Sequence, residues 1–340
     1  MKYRQLADTG VFVSELCLGA MTFGGVGQMW EVIGGLGQSD VEALVHRALD
    51  QGINFIDTAN VYSAGESETM LGKALAGRRH DVVLATKVRG RMAPGPNDVG
   101  LSRLHIMRAV EDSLRRLATD YIDLYQIHRT DWLTSVEDTL RALDDLVRAG
   151  KVRYIGCSNL PAWYLMKALA VSREQHLERF RCTQSFYSLA GRDIERDTIP
   201  LITDQHLGLL VWSPLAGGFL SGKFTRTGGD DAARRAKFDF PPVDKEKGFA
   251  ILDVLANVAQ ARGATIPQIA LAWLLANPAV TSVIIGARRS SQLDDNLKSV
   301  DVTLTPDDLE ALDQVSRLAP TYPDWMDTLG SDRKPGERRY

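Results

Sequence analysis

The sequence lacks the usual anchors of metal, nucleotide and disulfide chemistry. It holds three cysteines in 340 residues, Cys17, Cys157 and Cys182, with no CxxC spacing. An odd number without ligand-like spacing fits neither a disulfide framework nor a zinc site, and reads as reduced thiols in a core. No HExxH or EF-hand spacing occurs, so no metal is expected. No GxGxxG follows a strand-like run and no GxxxxGKS/T is present, which removes a dinucleotide-binding Rossmann unit and a P-loop. A charge excess is missing as well: 40 Lys+Arg stand against 43 Asp+Glu, a formal net charge of −3. That balance gives nucleic acid no electrostatic footprint to bind. The opening MKYRQLADTGVFVSEL carries Lys2, Arg4, Asp8 and Glu15 and no apolar run of signal-peptide length, so a cytoplasmic location is expected.

What is there is an ordinary globular mixture, 44% hydrophobic and 24% charged. From Gly263 to Ala287 no charge occurs, over a length that exceeds the ~20 residues of a membrane span. Pro267, Gln268, Asn277, Pro278 and Thr281 divide that stretch into a helix-like IPQIALAWLLANP and a strand-like TSVIIGA, two buried elements of a soluble core rather than one span.

Eight apolar runs of strand length recur: SELCLGA (14 to 20), NFIDTA (54 to 59), VVLATK (82 to 87), IDLYQIH (122 to 128), VRYIGCSN (152 to 159), CTQSFYS (182 to 188), GLLVWSP (208 to 214) and SVIIGAR (282 to 288). Between them lie segments of helical spacing such as SDVEALVHRALDQG and TSVEDTLRALDDLVRAG, opened by Ser or Thr and closed by Gly. Strands this apolar belong to a parallel sheet covered by helices. Eight β/α alternations predict an α/β fold, a (β/α)8 TIM barrel in one domain spanning 1–340. Two segments break the rhythm. Residues 21 to 38 carry six glycines after the first strand, and 219 to 247 form a mixed-charge insertion after the seventh. The tail from about 319 to 340 is expected to be mobile.

Three consecutive runs end in ionisable groups: INFI in Asp57, VVLAT in Lys87 and DLYQI in His128. Parallel strands bring such ends together at the C-terminal mouth of a barrel. A carboxylate and an ammonium meeting there offset each other's desolvation, whereas either alone costs several kcal/mol. Taken singly, Asp57 caps a turn, Lys87 reaches solvent and His128 fills a core. Tyr62, five residues past Asp57, changes this reading. A phenol with a reference pKa of about 10 is a poor proton donor unless a cation stabilises its phenolate. Lys87 is placed to supply that cation, with Asp57 holding Lys87 charged and His128 adding a hydrogen bond.

At these residues the sequence resembles the aldo-keto reductase superfamily. The resemblance runs from residue 2 to about 317 and is carried by MTFGG, GINFIDTANVYSAGESETMLGKAL, LATK, YIDLYQIHR, KVRYIGCSN, VWSPLAGGFLSGK and IIGARRSSQLDDN. It implies a catalytic tetrad of Asp57, Tyr62, Lys87 and His128, and NADPH/NADP+ bound extended at the mouth. It also implies the cofactor's contacts. Ser158, Asn159 and Gln184 would take the nicotinamide carboxamide, and Trp212 would stack on the ring, where many members carry tyrosine. Ser213, Leu215, Gly217 and Lys223 would line the pyrophosphate, under a clamp formed by 219 to 247. In the last motif Arg288 would bind the adenosine 2′-phosphate and Gln292 and Asn296 the adenine, with Gly286 also among the cofactor-binding residues. The residues support part of this directly. Ser290 and Ser291 open a helix whose free N–H groups favour an anion beside Arg288 and Arg289, and Gln292 and Asn296 share one helix face. Trp30, Trp132 and Trp325 are candidate walls of a substrate pocket.

The expected activity is reversible hydride transfer between NADP(H) and an aldehyde or ketone, with a small-molecule substrate and neither nucleic acid nor membrane as partner. Two alternatives stand beside it. One is a nicotinamide-binding regulatory or sensor subunit, suggested by the likeness of WSPLAGG to channel-associated β subunits and weakened by the lack of an extension before Met1. The other is a different barrel enzyme, an isomerase or aldolase using Lys87.

Overall fold

The computed structural model describes residues 1–226, 228–229 and 234–328. Among these, a short hairpin of β1 (Tyr3–Gln5) and β2 (Phe12–Ser14) precedes a closed barrel. The barrel strands are β3 (Leu16–Gly19), β4 (Phe55–Asp57), β5 (Val83–Val88), β6 (Ile122–Ile127), β7 (Val152–Ser158), β8 (Phe180–Phe186), β9 (Gly208–Trp212) and β12 (Val280–Ile285). Each is parallel to its neighbours, and β12 closes the ring on β3. All eight coincide with the apolar runs read from the sequence, which makes the fold a (β/α)8 barrel.

The outer ring comprises α2 (Gln38–Asp50), α3 (Glu66–Ala74), α4 (Arg103–Leu117), α5 (Val136–Arg148), α6 (Ala162–Gln175), α7 (Thr198–Asp204), α9 (Lys245–Arg262), α10 (Ile266–Ala276), α11 (Ser290–Leu297) and α12 (Pro306–Ser316). Their starts follow local chemistry: Ser102 and Ser135 accept from the N3 amides of α4 and α5, and Thr265 with Gln268 forms a capping box on α10. The uncharged stretch after Gly263 is therefore one capped helix and one barrel strand. Among the described residues no helix is long and apolar enough to cross a membrane. The three cysteines are free and buried.

Side chains alternate across a strand, so every second residue of a barrel strand faces the lumen. The inward positions read Phe55 then Asp57, Ala85 then Lys87, Leu124 then Gln126, Cys182 then Gln184, Leu210 then Trp212. The first of each pair packs in one apolar cluster, which Leu6 and Val13 of the hairpin segment seal from below. The second lies one layer nearer the mouth. The lumen is thus dry at its base and polar at its top. The hairpin plug was not expected from the sequence, because its strands are only three residues each.

Two loops stand over the mouth. Residues 21 to 38 contain a six-residue helix, α1 (Gln28–Ile33). The 219 to 247 insertion contains β10 (Phe224–Thr225) paired with β11 (Gly228–Gly229), then α8 (Arg234–Lys237), which touches α1. The insertion is seated directly on the loop after β9. Arg235 donates to Ala216 O at 2.5 Å and to Pro241 O at 2.7 Å, and a Cβ on Gly217 would lie 2.2 Å from Phe240 O. Of the predicted mobile tail, Asp324–Thr328 forms a turn and 329–340 lie outside the described residues.

Candidate active site

Lys87 is fully buried, and its ammonium is held by three oxygens. It donates to Asp57 Oδ1 at 2.5 Å, to Thr58 O at 2.9 Å and to Tyr62 Oη at 3.2 Å. Asp57, itself 2% exposed, completes its acceptor set through Oδ2, which takes Gln126 Nε2 at 3.0 Å and Gln184 Nε2 at 2.9 Å. Every donor and acceptor of this pair is thereby satisfied, the condition under which two charges tolerate burial. Burial alone would lower the Lys87 pKa, but Asp57 and Tyr62 outweigh it and the shift is upward, so the ammonium stays charged.

Tyr62 reaches the pair from the turn after β4. Behind it Ser63 and Ala64 both adopt left-handed backbone, φ 49° and 54°, an unusual run for residues with a Cβ. Ser63 Oγ donates to Phe23 O at 2.9 Å, and that bond helps hold the turn. The His128 ring meets Tyr62 edge-on at 5.9 Å between centroids. The four residues predicted as a tetrad therefore converge. One expectation is modified. Burial raises the Tyr62 pKa, Lys87 opposes it, Asp57 adds to it, and the net direction is up rather than down. The phenol is therefore held protonated, with the Lys87 ammonium at hydrogen-bond distance from its oxygen. His128 is pulled down to about 3, by burial first and then by the nearby charges of Lys87, Arg129 and Arg89, so its imidazole is neutral.

The predicted cofactor residues form a connected rim. Trp212 Nε1 donates to Asn159 Oδ1 at 2.9 Å, and Asn159 Nδ2 donates to His128 O at 3.0 Å and to Ser158 Oγ at 2.8 Å. Ser158 Oγ in turn donates to Gln184 O at 2.9 Å. Gln184 turns its amide onto Asp57, a role not foreseen for it. Phe240 of the insertion stacks on Trp212, 5.9 Å between centroids and 10° from parallel. Ser213 Oγ accepts Gly217 N at 2.8 Å, which rounds the loop holding Leu215; Lys223 is exposed beyond it. Just past β12, the strand next to β9, Gly286 is exposed, with nothing within 4 Å of where a Cβ would stand. Gln292 Oε1 accepts Arg288 N at 2.9 Å, and Asn296 is buried one turn further on. Arg288 Nη2 donates to Val32 O at 2.5 Å and Ile33 O at 2.8 Å.

The three tryptophans divide. Trp30 stands against the Tyr62 ring at 5.5 Å, whereas Trp132, 66% exposed, stacks on Trp163, and Trp325 stands against Tyr322 in the tail. Gln126 was missed by sequence reasoning. Its signal was an amide at an inward position of β6, two residues after the apolar Leu124 and in register with Lys87. Among the described residues no cluster of His, Cys, Asp or Glu is arranged to hold a metal.

Comparison with known proteins agrees with this geometry. Residues 15–317 match the model of the aldo/keto reductase family. An uncharacterized oxidoreductase of Bacillus subtilis is 39% identical, over 93% of this chain and 96% of its own. A probable voltage-gated potassium channel subunit beta of Arabidopsis thaliana is 36% identical, over 95% and 99%. Versiconal hemiacetal acetate reductase of Aspergillus parasiticus is 34% identical, over 92% and 96%. With a closed eight-stranded barrel and a family match across nearly its whole length, the chain belongs to the aldo/keto reductase family.

Proposed function

We propose that the protein is an NADPH-dependent reductase of aldehydes or ketones, working on small molecules and running as an alcohol dehydrogenase when oxidised cofactor is abundant. The observation that carries this reading is the buried chain Asp57–Lys87–Tyr62, with contacts of 2.5 and 3.2 Å, opening under the neutral His128 ring. Such a chain is suited to delivering a proton to an oxygen that is gaining negative charge.

The residues present fit a dinucleotide. Arg288 is half-buried and, among the described residues, makes no ion pair, an arrangement suited to an incoming phosphate. Gly286 leaves open space beside it, and Trp212, half-buried at the mouth beneath Phe240, stands next to Ser158 and Asn159. When bound, the nicotinamide supplies the hydride. Tyr62 gives its proton to the carbonyl oxygen, Lys87 stabilises the phenolate left behind, and Asp57 keeps Lys87 charged and in place. His128, being neutral, orients that oxygen through a ring N–H without competing for the proton. The insertion, through Arg235 and Phe240, packs on the loop at Gly217 that would line the pyrophosphate.

The test is NADPH consumption, followed at its absorbance, with a panel of aromatic aldehydes, sugars and diketones. Turnover on some members is expected; tight NADPH binding with no turnover on any would sink the reductase reading. The relative named as a potassium channel subunit favours the second reading, a nicotinamide-binding subunit with negligible turnover, and that outcome would select it.

A further inference from the structure

α1 is too short to persist by itself, and no side chain caps its N-terminus. Its last carbonyls are held by a residue more than 250 positions away, since Arg288 Nη2 bonds both Val32 O and Ile33 O. A cation at this end is doubly favoured, by the unsatisfied carbonyls and by the negative pole of the helix. The base of the loop is tied independently: Thr22 Oγ1 donates to Ala287 O at 3.1 Å, Gly35 N to Gly24 O at 2.5 Å and Gly25 N to Glu66 Oε2 at 3.0 Å. Arg288 ties the end of α1 itself, which α8 touches as well, and α1 carries Trp30, whose ring lies against Tyr62 at 5.5 Å and 58°. Both bonds use Nη2, which leaves Nε and Nη1 for another acceptor.

We propose that Arg288 is a positioning residue for the catalytic end of the site: by capping α1 it keeps Trp30 on the Tyr62 ring, and so fixes the wall against which the substrate carbonyl is presented. One guanidinium then serves both ends of the mouth, the adenosine side through its free N–H groups and the substrate side through a six-residue helix. The kinetic consequence rests on the reductase reading above. The structural one does not.

Two measurements test it. Amide hydrogen exchange on the free protein, read by mass spectrometry, should show Arg288→Gln accelerating exchange across 28–35 by about tenfold or more, with β3 and α2 unchanged. Unchanged exchange in 28–35 overturns the proposal whether or not the protein turns over. A double-mutant cycle at saturating cofactor reads the catalytic arm. Arg288→Gln should lower kcat/KM for the carbonyl about tenfold in the Trp30 protein and less than about twofold in a Trp30→Ala background, the signature of one residue acting through the other. Arg288→Lys, which keeps the charge and a donor, should recover part of the loss. Equal losses in both backgrounds would overturn the proposal and assign Arg288 to the cofactor alone. Accelerated exchange in a protein without carbonyl turnover would uphold the cap and defeat the reductase reading instead.

Discussion

The floor of the mouth and its rim are built by different rules. On the floor, Asp57, Lys87, Gln126 and Gln184 sit at inward positions of four strands, are buried, and hydrogen-bond into one network. On the rim, Arg288, Trp30, Trp212 and Phe240 are partly exposed and held loop against loop. A strand end cannot shift without moving the barrel, whereas a loop contact can exchange for a ligand contact. The floor should accordingly govern chemistry and folding, and the rim affinity and choice.

The largest effect that bears on this contrast is expected from Tyr62→Phe. Removing a general acid typically costs about 10²- to 10⁴-fold in rate. The loss should fall on kcat, with NADPH affinity and folding nearly unchanged, because the ring and its contact with Trp30 remain. Near-normal kcat on an unactivated ketone would show that the proton comes from elsewhere. Next comes Asp57→Asn, which leaves a fully buried ammonium without its counter-charge. Breaking a buried pair costs about 3 to 5 kcal/mol, measurable as a lowered denaturant midpoint. A loss below 1 kcal/mol would mean that the floor is not the rigid element described.

The contrast also explains what was legible in the sequence. Strand ends announce themselves: an apolar run that stops at Asp57, Lys87 or His128 has little choice about where that group points, and the closed barrel then brings the three together. The same logic applies to Gln126, hidden because one amide inside DLYQIH looks like a packing choice until the register sets it beside Lys87. Rim contacts follow no such periodicity. Arg288 was legible as a cation beside a helix start, but its bonds to Val32 and Ile33 depend on how two loops far apart in the chain meet. The direction of the Tyr62 shift was unreadable for another reason: it is a balance of burial against Lys87, and burial is a property of the fold.

At the rim, Arg288→Ala should weaken NADPH much more than NADH, since only the former carries a 2′-phosphate for a guanidinium. Hydrogen bonds between charged groups are worth about 1.5 to 3 kcal/mol, or roughly ten- to a hundredfold in affinity. Fluorescence titration of the free protein measures both cofactors. Equal weakening would indicate that Arg288 serves the pyrophosphate or only α1.

The smallest effect concerns His128, which stands between floor and rim and whose burial pulls its pKa down to about 3 against 6.5 for the ordinary group. A histidine that binds its proton more weakly when folded gives stability that is complete above pH 6.5 and is lost as pH falls through the window toward 3, because the unfolded chain takes up the proton first. Between pH 6.5 and 5.5 the loss from one such group is about 1 kcal/mol. Urea unfolding of wild type and His128→Asn across that interval should therefore show the wild-type midpoint falling more steeply on acidification, with the two curves converging in slope above pH 7.5. The activity profile should meanwhile lack a histidine limb between pH 5 and 8, since the ring is already neutral there. Parallel unfolding curves, or a limb near 6.5, would place the imidazole in water and move His128 from the floor to the rim.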